Sequence, residues 1–141
     1  MIGKNNPLNI RYNRFNQWKG LDLQKPQTKG FCNFIDVRYS IRACAYLLMR
    51  TYRKKGLRTY TELIRRYAPE SENPTFAYID YVVPAHRFSF DCPVTQWDFA
   101  QMIFKMSVFE SGSEEYCKNP DYVFRVITSE NLYPYEPKSA V

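Results

Sequence analysis

The segment from Thr95 to Glu110 constrains the fold of this chain more than any other. It begins with Thr95 and Asp98, which are three residues apart, as in a capping box. At this spacing each side chain can accept a hydrogen bond from the other residue's backbone N–H, which starts a helix. Its apolar residues cover several sides of the expected helix: Trp97, Phe99, Met102, Ile103, Phe104, Met106, Val108 and Phe109. A helix with that pattern is buried, so we expect it at the centre of the molecule.

Two helices are predicted earlier in the chain. Residues 37–55 repeat apolar side chains at helical spacing, and Gly56 ends that helix. Residues 59–67 begin with a capping box, in which Thr59 is the N-cap residue and Glu62 bonds back to it.

Asn-Pro pairs mark two further helices. Asn is a favourable N-cap residue, and Pro suits the first helical position. Asn73-Pro74 therefore predicts a helix that runs to about Val83 with Asn73 as its N-cap, and Asn119-Pro120 predicts the last helix.

The first 36 residues predict a different kind of structure. The β-prone runs Ile10-Arg11-Tyr12 and 31–35 flank a loop that contains Pro26 and Gly30, which indicates a small hairpin or two short strands. The predicted fold class is therefore mainly α (α+β), with about five helices and a small N-terminal β-hairpin in a single domain, residues 1–141.

Composition narrows the class of protein. An apolar content of 45% and an aromatic content of 17% exclude a disordered chain. The net charge of +6 favours an anionic partner such as nucleic acid, an anionic membrane or an acidic cell wall, although basic residues this spread out also suit an ordinary solvated surface. Nucleic acid is the least favoured partner, because no nucleic-acid-binding motif occurs.

Cysteine and histidine usage predicts no metal site and no cofactor. The four cysteines lack CxxC spacing, and His86 is the chain's one histidine. We expect free thiols in preference to two disulfides, and we assign no role to His86. No apolar run is long enough to span a membrane, and the polar start, Met1 to Pro7, does not resemble a signal peptide.

Carboxylates are the remaining candidates for chemistry, because the chain has no Gly-rich phosphate loop and no nucleophile–histidine pair. Glu110 is the strongest. The negative end of a helix dipole and burial among apolar neighbours both raise the pKa of a carboxyl group. A carboxylic acid that keeps its proton near neutral pH can serve as the general acid in glycoside cleavage. The alternative is an exposed helix-end glutamate without a role.

Two other glutamates are weaker candidates. Glu72 precedes a helix N-terminus, where its charge is favourable, so it suits binding or orienting a substrate. Glu130 ends the last helix much as Glu110 ends the fourth. Asp22 and Asp36 are possible helpers.

A series of short motifs, in a fixed order, resembles a known family. The motifs are Asn6-Pro7-Leu8-Asn9-Ile10-Arg11, Trp18-Lys19-Gly20, Phe31-x-x-Phe34, Tyr39-Ser40-Ile41-Arg42-Ala43, Gly56-Leu57-x-Thr59, Arg66-Tyr67-Ala68-Pro69 and Glu72-Asn73-x-Thr75-x-x-Tyr78. Over residues 5 to about 80 they resemble small prophage-encoded proteins called structural protein P5 or virion-associated protein, after the lytic enzyme of a double-stranded RNA phage. The resemblance implies a phage origin and a lysozyme-like fold.

The same motifs are similar to a segment of bacterial glucosaminidases. Those enzymes carry Glu-Ser-Gly at the end of a helix upstream of that segment, whereas here Glu110-Ser111-Gly112 lies downstream. A circularly permuted lysozyme-type fold reconciles the two orders. The resemblance then implies that Glu110 is the catalytic acid of a groove whose predicted substrate-binding residues are Asn6, Asn9, Arg11, Tyr12 and Trp18, with Glu72 and Asn73 across it.

The favoured function is accordingly a peptidoglycan hydrolase of phage or prophage origin, either a muramidase or an enzyme like a lytic transglycosylase. The alternative is a non-catalytic virion or cell-wall-binding structural protein, and the third candidate is a nucleic-acid-binding module. We expect the protein to be made in the bacterial cytoplasm and to act at the cell wall after release or delivery. Peptide cleavage stays open, because the double-stranded RNA phage enzyme is described as an endopeptidase.

Overall fold

Helices are the main regular structure of the described chain. The computed structural model describes residues 1–84 and 92–137, so His86 lies outside the described residues. The helical elements are α1 (Val37–Tyr46), a π-helical turn (Leu47–Thr51), α2 (Tyr52–Lys54), α3 (Tyr60–Tyr67), α4 (Thr75–Val82), α5 (Gln96–Ser111) and α6 (Pro120–Ser129). Because α1, the π-helical turn and α2 are continuous, these elements amount to five helices, as predicted. None of the helices in this part of the chain is long and apolar enough to cross a membrane.

Helix α5 lies at the centre of the packing. It contacts α1, α4 and α6, and Phe99, Ile103 and Met106 on it are fully buried. The prediction of a central helix is therefore confirmed. Gly112 ends α5 in the left-handed conformation, with φ of 76°, and its N–H donates to the Val108 carbonyl.

Local capping signals placed three helix starts correctly. Thr59 and Glu62 form the predicted capping box of α3, Thr95 and Asp98 form that of α5, and Asn119 caps α6. These motifs work within one turn of backbone, so the local sequence is enough to specify them.

The predicted cap of α4 was wrong. Helix α4 begins at Thr75, and its N-cap residue is Pro74, which makes no side-chain cap. The Asn73 amide instead donates to the Pro69 carbonyl at 3.3 Å. The buried Thr75 hydroxyl donates to the Ala68 carbonyl at 2.8 Å, which fixes the chain at that residue and starts the helix there.

The first long helix contains a feature that its sequence does not predict. Residues Leu47–Thr51 form a π-helical turn, which widens the helix by about one residue. The Met49 carbonyl accepts a hydrogen bond from the backbone N–H of Tyr135, at 2.8 Å, in the irregular C-terminal tail. Arg53, one turn on, is 4% exposed and donates to the Pro93 and Tyr135 carbonyls, both at 3.0 Å. The tail therefore lies against the π-helical turn.

The N-terminal hairpin is shorter than predicted and shifted. Strand β1 (Gln27–Thr28) pairs antiparallel with β2 (Phe31–Cys32). The two residues between them, Lys29 and Gly30, both have positive φ, at 51° and 87°, as a tight two-residue hairpin turn requires. The predicted strand 10–12 makes only an isolated bridge, Arg11 to Phe31. A mainly helical fold with a small hairpin is confirmed, and the lysozyme-like topology stays a prediction.

The four cysteines are free thiols, in agreement with the preferred prediction. Burial raises the pKa of Cys32 and of Cys117 to about 11, so both keep their protons at neutral pH. Cys44 is fully buried in α1. The core is thus held by packing around α5 and carries no covalent crosslink in the described residues.

Candidate functional site

A cleft of about 630 Å³ lies between the N-terminal loops and the helices. One wall comes from residues 9–18 with Phe31, and the other comes from the π-helical turn, α2, the end of α3 and the loop after it. Glu110 reaches the cleft from the last turn of α5. Seven of the predicted site residues line this one cleft: Asn9, Arg11, Tyr12, Trp18, Glu72, Asn73 and Glu110.

Asn6 is the predicted site residue that does not line the cleft. It is fully buried, and its side chain makes two hydrogen bonds to the backbone of Ile10. Asn6 Oδ1 accepts from the Ile10 N–H and Asn6 Nδ2 donates to the Ile10 carbonyl, both at 2.9 Å. Its Nδ2 also donates to the Cys32 carbonyl at 3.0 Å. Asn6 therefore fixes the loop that carries Asn9 and Arg11 against strand β2.

The backbone of this loop turns at asparagines. Asn5 and Asn9 both adopt the left-handed conformation, with φ of 55° and 52°. Asn tolerates this region better than most residues other than Gly. The turn at Asn9 directs its side chain to the end of α5, where its Nδ2 donates to Glu110 Oε1 at 3.0 Å.

Glu110 is half-buried, and its pKa is raised. Burial is the largest cause and raises the pKa, while the Asn9 hydrogen bond, Tyr78 and the charge of Arg11 lower it by less. The direction predicted from the sequence is confirmed. A carboxyl group of this kind holds its proton closer to neutral pH than an exposed glutamate does.

Two tyrosines below Glu110 were missed as site residues. Tyr78 in α4 is fully buried, and its ring lies 4.2 Å from that of Phe109, centre to centre. Its hydroxyl is near enough to lower the pKa of Glu110, although it makes no hydrogen bond of normal geometry. The Tyr67 hydroxyl donates to the Leu8 carbonyl at 2.5 Å. Helical spacing could have identified Tyr78, because it shares the buried stripe of α4 with Thr75 and Val82.

An ion pair joins the two walls of the cleft. Arg11 Nη2 lies 3.1 Å from Glu72 Oε2, and the two side chains are 64% and 53% exposed. The Arg11 guanidinium also lies over the Phe31 ring, 5.2 Å from its centre. An exposed pair of this kind contributes about 0–1 kcal/mol, so it can open at little cost.

Two polar atoms of the cleft residues have no hydrogen-bond partner. They are Asn9 Oδ1 and Trp18 Nε1, and both are shielded from solvent. An unpaired buried donor or acceptor costs about 1–3 kcal/mol, so each calls for a physical explanation.

The other candidate carboxylates have structural roles. Glu130 bonds Lys19 at 3.0 Å, Arg38 at 2.9 Å and Arg42 at 3.2 Å. Burial alone would raise the pKa of Glu130, but hydrogen bonds and charges from Lys19 and Arg38 outweigh it and lower the pKa. Asp36 is the N-cap of α1.

Asp22 is also held outside the cleft, because it bonds Lys4 and the backbone of the following turn. Among the described residues, Glu72 and Glu110 are therefore the carboxylates that line the cleft. Residues 1–84 and 92–137 contain no group of three or more His, Cys, Asp or Glu side chains placed to hold a metal ion.

The fold and the site together define a helical protein with an open polar cleft and one half-buried carboxylic acid. The chain is 36% identical over 121 residues to "Protein P5" of Pseudoalteromonas phage PM2, a match that covers 82% of this chain and 72% of that protein. The chain therefore belongs to the family of phage Protein P5. The predicted relationship to a phage protein P5 is confirmed, and the lysozyme-like and lytic character inferred with it stays a prediction. No family model matches the chain.

Proposed function

We propose that this protein binds bacterial cell-wall glycan in the cleft that contains Glu110. The observation that carries the proposal is the position of Glu110, a half-buried carboxyl group with a raised pKa, among aromatic and amide side chains. Aromatic faces stack on sugar rings, and amide and guanidinium groups bond hydroxyls. Membership of a phage protein family supports a role in a phage or prophage particle.

One version of this role involves no chemistry. The protein would then be a virion or cell-wall-binding structural protein that keeps the cleft for recognition. The family relationship supports this version more directly than cleavage, because it gives a phage origin and the relative's name states no reaction.

The second version adds cleavage, as in a muramidase or a lytic transglycosylase. Glu110 gives its proton to the glycosidic oxygen as the bond from that oxygen to C1 breaks. In the lytic-transglycosylase form, the sugar's 6-hydroxyl oxygen bonds to C1 and the Glu110 carboxylate takes the hydroxyl proton, so no water is consumed. In the muramidase form, one water is consumed, because its oxygen ends on C1 and one of its protons returns to the Glu110 carboxylate. Attack by the sugar's own group removes the need for a second carboxylate, and Glu72, which is paired with Arg11, is not assigned that role.

The test is release of soluble fragments from purified peptidoglycan, analysed by mass, together with sedimentation of protein with the insoluble wall. The proteins compared are wild type, Glu110→Gln and a control, Glu115→Gln, which changes an exposed glutamate outside the cleft. Sugar fragments from wild type and control, but none from Glu110→Gln, would establish the enzyme and its acid.

Other outcomes separate the versions. Binding by all three proteins with no release would establish the structural version. Release of peptide fragments would contradict the role given to Glu110. A folded wild-type protein that neither binds nor cleaves the wall would overturn the proposed function as a whole.

A further inference from the structure

Two residues that line the cleft carry buried polar atoms without a hydrogen-bond partner. In the described part of the chain, four buried side-chain atoms lack a hydrogen-bond partner: Asn9 Oδ1, Trp18 Nε1, Arg38 Nε and the Tyr78 hydroxyl. The first two belong to residues that line the cleft. Buried polar atoms in proteins are nearly always bonded, so two such atoms in one cleft point to groups that a ligand bonds.

The chemistry of these two atoms is fixed. The Asn9 Nδ2 donates to Glu110 Oε1 at 3.0 Å, which leaves Oδ1 as an acceptor. The Trp18 Nε1 can only donate. A ligand that satisfies both atoms must therefore offer one donor and one acceptor, and neither needs to carry a charge.

We propose that Asn9 and Trp18 together bind a secondary amide group, with Asn9 Oδ1 accepting from the amide N–H and Trp18 Nε1 donating to the amide carbonyl. The choice of ligand rests on the proposed function. Peptidoglycan offers secondary amides from two sources, the N-acetyl groups of its sugars and the bonds of its peptides. A polysaccharide that carries hydroxyl groups alone lacks this group.

Access of a ligand to these atoms requires part of the cleft wall to move. Both atoms are shielded from solvent, but residues 13–17, which precede Trp18, are all exposed. The Trp18 ring packs edge-on against Tyr46, with ring centres 6.0 Å apart. The proposal therefore requires this exposed segment, together with the Trp18 side chain, to shift when the ligand binds.

The indole N–H of Trp18 gives a direct test. The chain has two tryptophans, so a ¹⁵N–¹H spectrum contains two indole signals, and Trp97→Phe assigns them. Trp97 does not line the cleft, so this variant is also the matched control for Trp18→Phe. The probes are an N-acetylglucosamine tetramer, cellotetraose, which is neutral and has hydroxyls in place of the acetamido groups, and an N-acetylated alanine dipeptide amide.

We expect the Trp18 signal to move downfield with the N-acetylated sugar and to stay in place with cellotetraose. Trp18→Phe should weaken binding of the N-acetylated sugar about five-fold, the size of one neutral hydrogen bond, while Trp97→Phe leaves it unchanged. A shift of the Trp18 signal with the dipeptide amide alone would support an amide-binding site and indicate that its ligand is the peptide part of peptidoglycan.

Equal responses to the N-acetylated sugar and cellotetraose, or no response to either amide probe, would overturn the inference. This failure is distinguishable from failure of the proposed function. If the protein sediments with peptidoglycan but its Trp18 signal stays unchanged, the proposed function is supported and the amide site is contradicted. If the protein does not sediment with peptidoglycan but its Trp18 signal shifts with an amide probe, the amide site is supported and the proposed function is contradicted.

Discussion

Two glutamates at the ends of adjacent helices have opposite environments. Glu110 lies in the last turn of α5 and Glu130 is the C-cap residue of α6, and these two helices pack against each other. Burial raises the pKa of Glu110, whereas Lys19 and Arg38 lower that of Glu130. The same position relative to a helix dipole thus gives opposite shifts, so contacts from distant parts of the chain decide the chemistry of each carboxyl group.

The comparison predicts its largest effect in stability. Glu130→Gln should lower the free energy of unfolding by about 1–2 kcal/mol, because it leaves the partly exposed cations Arg38, Arg42 and Lys19 close together without their counterion. Glu110→Gln should change it by less than about 1 kcal/mol, since it removes a charge that burial disfavours. Denaturant unfolding of both variants measures the difference, and equal losses would show that the two environments do not differ in energy.

The pH dependence of stability should differ in sign between the two sites. The raised pKa of Glu110 means that its contribution is present below the ordinary glutamate pKa of about 4.3 and is lost as pH rises through the raised value. The lowered pKa of Glu130 means that its contribution is present above that ordinary value and is lost as pH falls through the lowered one.

Each unit by which the folded-state pKa differs from the unfolded one changes the free energy of unfolding by about 1.4 kcal/mol between low and high pH. The measurement is the difference in unfolding free energy between wild type and each Gln variant, from about pH 3 to pH 8. Glu110→Gln should remove the loss of stability that occurs as pH rises above the ordinary glutamate pKa. Glu130→Gln should remove the loss that occurs as pH falls below it. A shared dependence in both variants would contradict the opposite shifts.

Local sequence predicts the parts of the fold that short-range contacts determine. The capping boxes at Thr59 and Thr95 each act over three residues, and both form as predicted. The π-helical turn could not be predicted in this way, because the partner of the Met49 carbonyl is Tyr135, far along the chain. The hairpin was misplaced because Lys29 takes a left-handed conformation that its residue type does not favour.

The candidate site shows the same division. Motif order identified most of the cleft wall, but it could not separate Asn6, which is buried against backbone, from Asn9, which reaches Glu110. The opposite pKa shifts of Glu110 and Glu130 also could not be predicted from the sequence. The cations around Glu130 come from 88 to 111 residues away, and local spacing cannot bring them together.

The smallest predicted effect isolates one neighbour of Glu110. Tyr78→Phe removes a hydroxyl that lowers the pKa of Glu110, so the pKa of Glu110 should rise further. The buried hydroxyl makes no hydrogen bond of normal geometry, so its loss should change the free energy of unfolding by less than about 1 kcal/mol. Carboxyl ¹³C chemical shifts of Glu110 measured against pH report the change.

The matched control for this experiment is Tyr81→Phe. Tyr81 lies on the same helix, and its ring also faces Phe109, with centres 6.0 Å apart. Tyr81 is 42% exposed, so its hydroxyl is not confined beside the carboxyl group. An unchanged Glu110 pKa in Tyr78→Phe, or the same rise in both variants, would mean that burial by the aromatic rings alone sets the pKa. In that case the whole difference between Glu110 and Glu130 would come from solvent exclusion and cations, and none from the tyrosine hydroxyl.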